Sequence, residues 1–380
     1  MSKIQNLFSS NFFQLAILLV IAFVIKGLYI GVMDIGMDEC FSVYTAQLSP
    51  SQIISWLSTG DNPPLWELLL HYWIKLFGIS ELSIRIPSYL FNVLTIIPIY
   101  FLGEKFIVKR IGLTASILFT LSSLSLFMAH EARVYSLLGF LSMYSVYLFV
   151  SSIKEKNQIR SLVFLTLVNG LILYTHYLGY WIILVQIICF LSIKSIRQVL
   201  LKKYLIHLGV LLLLFLPILP VLYDRILNSG LNGTWISTVT GLEDLYNMIW
   251  KFSNKPITTV IFLAFILVGL ALRIIHRKKN YNQNIFLIHL FLWIPLLGSF
   301  LLSFKVGFFL DRYFYFLSPL FYLVVATSIW RTFYFNKKTR ISVAIISLVL
   351  MGITFKPHTQ ESKISGYHKN NKKLVSKIKE

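Results

Sequence analysis

The feature that most constrains this chain is a succession of long apolar runs, because about 20 apolar residues cross a bilayer as one helix. Only 13% of the 380 residues are charged and 57% are hydrophobic, too little polar surface for a soluble domain of this size. The sequence therefore predicts an all-α polytopic membrane protein of about 11 transmembrane helices. The runs lie near 12–33, 84–103, 111–128, 134–152, 162–178, 180–193, 205–222, 257–275, 285–304, 313–330 and 341–355.

The charges of the connecting loops predict the orientation, because Lys and Arg accumulate on the cytoplasmic side. With the N-terminus inside, each of the five inner loops carries three or four Lys and Arg, whereas the outer loops carry none to three. We therefore expect every long loop, including 34–85, to face out. The first apolar run is expected to be a retained span.

The domain organisation is predicted as one membrane domain, 1–355, followed by a short basic tail, 356–380, with seven Lys. If 341–355 crosses the membrane, the tail lies outside, against the charge rule. If 341–355 lies on the cytoplasmic face, the tail stays inside. Both topologies remain open.

The first outer loop, 34–85, concentrates the groups that can do chemistry. Asp38 and Glu39 directly follow the first span, and Asp61 precedes a short apolar helix expected over 63–77. Charged groups at the membrane edge are costly unless paired or wetted, so their accumulation favours a functional cavity. Plainer interpretations stay open: the acidic pair as a solvated end of the span, and Asp61 as a helix N-cap.

The short helix carries Glu67, His71 and Lys75, four residues apart, so the three form one polar stripe. The stripe faces either water or a reaction cleft if this helix lies in the membrane interface. Lys26, inside the first span, is expected to reach an edge of the membrane with its ammonium group. Glu131 and Arg133 can form a surface ion pair, and His176 can be an ordinary interfacial side chain.

Several segments together resemble one family: the bacterial relatives of protein O-mannosyltransferases and of the lipid A aminoarabinose transferase, which are membrane glycosyltransferases of the C-type fold. The acidic pair at 38–39, the GDNPPL element that opens 60–78, and 80–88 with its Arg85-Ile86-Pro87-Ser88 are similar to that family in order and type. The segments 131–135, 175–177 and 312–313 look like its later landmarks. The resemblance is strong over 34–150 and thinner afterwards.

The resemblance implies a transferase that takes sugar from a polyprenyl-phosphate donor at the outer face of a bacterial plasma membrane. Asp38 would be the base of an inverting reaction, with Glu39 and Asp61 orienting it, the acceptor or an ion. A divalent metal is conceivable at Asp61 or Glu131, with His176 as a further ligand; no resident cofactor or nucleic-acid partner is implied. Substrate contacts are expected from Glu131, Arg133, Tyr135, His176, Tyr177, Arg312 and Tyr313.

Two departures from the family bear on this expectation. Asn62 stands where family members often have His or Lys, so contact with the donor phosphate is expected from Arg133, Arg312 or Lys75. The soluble C-terminal domain usual in the family has no counterpart before the basic tail.

Two rival functions remain open. A transporter or flippase of lipid-linked sugars would bind near the membrane midplane on broken helices, whereas the polar groups here lie at the outer rim. A glycan ligase or polymerase would use a diphosphate-linked donor. The sugar and the acceptor, whether protein, lipid A or another surface glycan, are not identified by the sequence.

Overall fold

The computed structural model describes residues 11–28, 30–31, 35–58, 62–155, 157–232, 241–275, 282–332 and 337–356. All of the regular secondary structure in these ranges is helical. Asp61 and the basic tail after Lys356 lie outside the described residues.

The first part of the chain forms eight helices that include the first outer loop. They are α1 (Asn11–Gly27), α2 (Met37–Ala46), α3 (Pro50–Ser58), α4 (Leu65–Phe77), α5 (Glu81–Leu94), α6 (Ile96–Phe106), α7 (Lys109–Thr120) and α8 (Ser123–Ala129). The helices that follow are α9 (Tyr135–Lys154), α10 (Gln158–Leu173), α11 (Tyr180–Ser192), α12 (Lys194–Phe215), α13 (Leu219–Asn232), α14 (Leu242–Phe252), α15 (Pro256–Ile275), α16 (Gln283–Ser303), α17 (Ser318–Thr332) and α18 (Lys337–Thr354). Short 3₁₀ turns occupy Tyr177–Gly179, Leu216–Ile218 and Asp311–Leu317.

The predicted helical membrane fold is confirmed. Five helical segments in the described ranges are long and apolar enough to cross a membrane: Glu81–Phe106, Tyr135–Lys154, Lys194–Arg225, Gln283–Ser303 and Asp311–Arg331. Two bent pairs raise the number to seven: α7 with α8, at 65°, and α14 with Pro256–Ala271, at 96°. Asn11–Gly27, Gln158–Leu173 and Tyr177–Ser192 are apolar but shorter, and the number of eleven crossings stays a prediction.

Helices α6 and α7 cross in close contact at two glycines. A Cβ atom added to Gly103 of α6 would lie 2.3 Å from the backbone nitrogen of Gly112 in α7. Only a residue without a side chain allows the two backbones to approach so closely, as is common between membrane helices. The crossing fixes α7, and α8 then continues towards the outer loops.

Lys26 does not reach the edge of the bundle, contrary to the expectation from sequence. Its side chain is fully buried, with the ammonium group 4.0 Å from the ring centre of Phe119. Nζ donates hydrogen bonds to Ser125 Oγ, at 2.6 Å, and to Asn92 Oδ1, and Asn92 Nδ2 donates to the Tyr315 hydroxyl at 2.6 Å. This polar contact ties α1, α5, α8 and the 311–317 turn together beneath the outer loops.

The first outer loop folds into three helices, α2 to α4, that pack on the bundle. The indole N–H of Trp66 in α4 donates to the carbonyl of Ala132 at 3.3 Å. Glu67 and His71 are buried, so the interpretation of a water-facing stripe is wrong for both, and only Lys75 is exposed. Helix α4 begins two residues later than expected, and the N-cap position is Pro64.

Candidate active site

Glu39 is locked into a buried ion pair that joins three segments. Arg85 donates from Nε to Glu39 Oε1 at 2.9 Å and from Nη2 to Oε2 at 2.7 Å. The backbone N–H of Ala132 donates to Oε1 and that of Gly36 to Oε2, each at 2.8 Å. A two-point contact between a guanidinium and a carboxylate fixes both distance and orientation. Glu39 therefore holds the start of α2 against α5 and against the segment 131–135.

Asp38, the preceding residue, points the other way. Its side chain is 49% exposed, against 3% for the whole of Glu39. Its carboxylate pairs with the Nη1 group of Arg312 from the 311–317 turn. Arg312 is itself 25% exposed. Residues 274 positions apart thus meet at an accessible surface, and the structure brings the predicted base and a predicted phosphate ligand into direct contact.

Arg133 is not part of a surface pair with Glu131, because it is buried under the start of α2. Its Nη1 donates to the backbone carbonyl of Asp38 at 3.1 Å and to Ser42 Oγ at 2.8 Å. Arg133 therefore holds the backbone that carries the candidate base, whereas Arg312 holds the carboxylate of that base.

A second buried carboxylate lies behind Arg133. Ser42 Oγ donates to Glu67 Oε1 at 3.2 Å, while Glu67 Oε2 and Arg133 Nε are buried without a hydrogen-bond partner among the described residues. Burial raises the pKa of Glu67, and the charge of Arg133 acts in the opposite direction. The hydrogen bonds of Nη1 fix the Arg133 guanidinium, whereas its unsatisfied Nε carries a desolvation cost.

The carboxyl group of Glu131 interacts with the charges of Asp38, Glu39, Arg133 and Arg312. Removal from water raises the pKa of Glu131 to about 8, with a further upward contribution from the charge of Glu39. Arg312 and Arg133 act in the opposite direction. Its side chain has no hydrogen-bond partner within the described part of the chain. At neutral pH this carboxyl group is therefore largely protonated, and it can donate as well as accept a hydrogen bond.

Three aromatic side chains form a wall beside Arg312. The ring centres of Tyr135, His176 and Tyr313 lie 5.6 to 6.3 Å from one another, and the Arg312 guanidinium carbon is 5.8 Å from the ring centre of Tyr313. The Leu178 backbone N–H donates to His176 Nδ1 at 3.1 Å. Nδ1 is therefore the acceptor nitrogen, and the neutral ring carries its proton on Nε2. Burial, with the charges of Arg133 and Arg225, lowers the pKa of His176 to about 3.

One further predicted position, Tyr177, has contacts of its own. Tyr177 packs on Tyr180 and on the guanidinium of Arg225. Asp61 lies outside the described residues. No three His, Cys, Asp or Glu side chains of the described ranges come close enough together to hold a metal ion.

Reasoning from sequence missed the partner of Glu39 and the burial of Glu67. An ionisable residue inside an apolar run requires a partner, and Arg85 is the second residue of the run 84–103, so its pairing with a carboxylate of the preceding loop was foreseeable. No signal in the sequence distinguishes a buried Glu67 from an exposed one, because the opposite face of α4 is equally able to pack.

Comparisons with known proteins give one family match and several similar folds. Residues 61–223 match the model of the dolichyl-phosphate-mannose-protein mannosyltransferase family. A comparison with curated proteins found no match.

Three solved structures have a similar fold. ArnT from Cupriavidus metallidurans in the apo state superposes with a TM-score of 0.63 at 13% identity, over 87% of this chain and 61% of that one. ArnT bound to undecaprenyl phosphate gives 0.64 at 13% identity, over 88% and 62%. The archaeal oligosaccharyltransferase AglB from Archaeoglobus fulgidus, with an inhibitory peptide and a dolichol-phosphate, gives 0.58 at 14% identity, over 90% and 55%.

The chain spans less than two thirds of the length of these proteins. The resemblance found in the sequence is nevertheless confirmed by the family match and by the fold. The chain is thus a membrane protein of the C-type glycosyltransferase fold, with a segment that matches the protein mannosyltransferase family.

Proposed function

We propose that this protein transfers a sugar from a polyprenyl-phosphate donor to a hydroxyl-bearing acceptor at the outer face of the membrane. The observation that carries the proposal is the pairing of Asp38 with Arg312 at an accessible position. Two solved proteins of this fold hold a polyprenyl phosphate, undecaprenyl phosphate in one and dolichol-phosphate in the other. A donor of that class supplies a good leaving group, so the protein needs a base and a cation more than a strong acid.

In the proposed reaction, the acceptor oxygen attacks the anomeric carbon from the side opposite the phosphate. The bond between that carbon and the phosphate oxygen breaks, and its electrons remain on the lipid phosphate. Asp38 takes the proton of the attacking hydroxyl group. Attack and departure on opposite sides invert the anomeric configuration.

Arg312 links binding of the donor to activation of the base. Its guanidinium has a planar fork of donors that suits phosphate oxygens as well as a carboxylate. When the donor phosphate binds Arg312, competition for its N–H groups loosens the contact with Asp38, and this carboxylate becomes available to the acceptor. The cation then balances the charge that develops on the leaving phosphate.

The remaining side chains position or line the site. Glu39, through Arg85, and Arg133, through the Asp38 carbonyl, hold the base in place. The protonated carboxyl group of Glu131 is suited to hydrogen bonds with sugar hydroxyl groups, and Asp61 is proposed to orient the acceptor or an ion. The aromatic wall, with Tyr177 beside it, is suited to contact with a sugar ring or the lipid.

The proposal is tested with matched donors in vesicles that contain the purified protein. A labelled sugar on a polyprenyl monophosphate should be transferred, and the released lipid should be the monophosphate. The same sugar on a polyprenyl diphosphate should be a poor donor. Transfer from the diphosphate alone would support a ligase or polymerase, and movement of intact donor across the bilayer without transfer would support a flippase.

The side of the site is testable with a native residue. Cys40 is exposed on α2, whereas Cys189 is buried. In intact cells, a membrane-impermeant thiol reagent should therefore label the wild-type protein, and the Cys40→Ser variant should remain unlabelled. Labelling of Cys40 only after lysis would place the site on the cytoplasmic side and exclude the proposed donor.

A further inference from the structure

A second polar site lies at the end of the Asp311–Arg331 span opposite to Arg312. The indole of Trp330 is contacted there by two arginines from different helices. The guanidinium carbon of Arg110, in α7, is 5.2 Å from the Trp330 ring centre, and that of Arg340, in α18, is 5.3 Å from it. Trp330 Nε1 donates to Thr114 Oγ1 at 2.8 Å, which fixes the ring. Two positive charges are thereby held against the same side chain.

Neither guanidinium has a hydrogen-bond acceptor among the described residues. Nε of Arg340 is buried and has no partner there, and Arg110 is exposed. The helices that meet here, α7, α17 and α18, contain no Asp or Glu, and the nearby Glu104 of α6 already accepts a hydrogen bond from Asn11 at 2.6 Å. A guanidinium carries five N–H donors, and two like charges near one ring repel each other. The pair therefore calls for an anion that offers several oxygens.

The N-terminal ends of α7 and α18 add to the positive potential around the two arginines. Arg110 is the second residue of α7 and Arg340 the fourth of α18, so both lie in the first turn of a helix, where the helix dipole is positive. Neither helix has an acidic residue in its first turn, and the N-cap of α7 is Val108, without a capping side chain. Arginine is unfavourable at such a position unless an anion offsets it.

We infer that Arg110, Trp330 and Arg340 form a binding site for the phosphate headgroup of an anionic membrane lipid on the cytoplasmic face. The loop charges predict that this end of the span is cytoplasmic, where anionic lipid headgroups are adjacent to it. The guanidinium groups bind the phosphate oxygens, and a tryptophan at the end of a span suits the membrane interface. The site is distinct from the proposed donor site, which lies at the other end of the same span.

The inference is tested with the full-length protein in phosphatidylcholine bilayers that contain increasing fractions of phosphatidylglycerol. The readouts are the thermal unfolding midpoint and the number of phosphatidylglycerol molecules retained in native mass spectrometry. Phosphatidylglycerol should raise the midpoint of the wild type. The double variant Arg110→Gln/Arg340→Gln should lose that increase and bind phosphatidylglycerol about thirtyfold more weakly, because two basic residues at the membrane surface together contribute about 2 kcal/mol.

Arg160→Gln is the matched control, because Arg160 is also exposed at a predicted cytoplasmic helix end and contacts one aromatic ring, Phe164, at 5.9 Å. It should respond to phosphatidylglycerol as the wild type does. If the double variant loses the same stability with and without phosphatidylglycerol, the arginines only pack the helices and the inference is wrong. An equal effect of inorganic phosphate in pure phosphatidylcholine would overturn the lipid assignment. Arg110→Gln alone, at an exposed position, provides a folded variant for the same comparison.

Discussion

Asp38 and Glu39 are adjacent and chemically similar, but the fold gives them opposite surroundings. Glu39 is buried and receives hydrogen bonds from Arg85 and from two backbone N–H groups. Asp38 is half exposed and pairs with a partly exposed Arg312. A carboxylate whose acceptor sites are all occupied has no oxygen left for a substrate, whereas an accessible one can exchange its partner. The comparison supports a structural role for Glu39 and the proposed role of Asp38 as the base.

The largest effect on stability is expected from Glu39→Gln. The amide cannot balance the buried charge of Arg85, and loss of one partner of a buried ion pair typically costs about 3 kcal/mol or more. The unfolding midpoint of the purified protein should fall substantially. Glu243→Gln, at an exposed position, should leave it unchanged. A Glu39→Gln protein as stable as the wild type would remove the distinction between the two carboxylates.

The next effect separates the two arginines of the site. Arg312→Ala and Arg133→Ala should each lower transfer at least about tenfold, equivalent to roughly 1.4 kcal/mol. We expect Arg312→Ala to raise the donor KM, because Arg312 is accessible to a phosphate. Arg133→Ala should lower kcat, because Arg133 holds the Asp38 backbone from a buried position.

Lys75→Ala is the control for these arginines, since Lys75 is an exposed cation in the same loop, 34–85, as Asp38. It should stay within about threefold of the wild type. If Lys75→Ala is the damaging variant and both arginine variants remain active, the phosphate site lies on α4 and not at Arg312.

The smallest effect concerns pH and Glu131. Its pKa is raised from 4.5 to about 8 in the folded protein, so the folded state binds more protons than the unfolded state between these values. The contribution of Glu131 to stability is therefore full at low pH and falls as pH rises through about 8. The wild-type unfolding midpoint should decrease more steeply over this window than that of Glu131→Gln. Equal slopes in the two proteins would show that Glu131 is ionised at neutral pH.

The sequence was sufficient for much of this account. The apolar runs predicted the helical membrane fold, and the short motifs at 37–39, 60–64 and 131–135 identified the family resemblance. Long apolar runs and short motifs involve only residues that are close in the chain, so both can be recognised in a single sequence. Eight of the predicted site residues lie in the group described around Asp38 and Arg312, while Asp61 stays a prediction.

The sequence did not predict which polar residues are buried. Lys26 was expected at an edge and Glu67 towards water or a reaction cleft, but both are enclosed by segments distant in the chain. The partners of Lys26 come from α5 and α8, and Glu67 lies behind Ser42 and Arg133. Such long-range pairings depend on how helices pack, and periodicity within one helix does not contain that information.

The most direct test of the central claim is the transfer rate per folded molecule of the two carboxamide variants, measured with the same labelled polyprenyl monophosphate donor. Asp38→Asn should keep the wild-type unfolding midpoint and lose at least about a hundredfold in rate, the usual scale for removal of a general base. Glu39→Gln, measured below its lowered midpoint, should lose less. Wild-type turnover by Asp38→Asn, or a greater loss per folded molecule in Glu39→Gln, would contradict the assignment of Asp38 as the base.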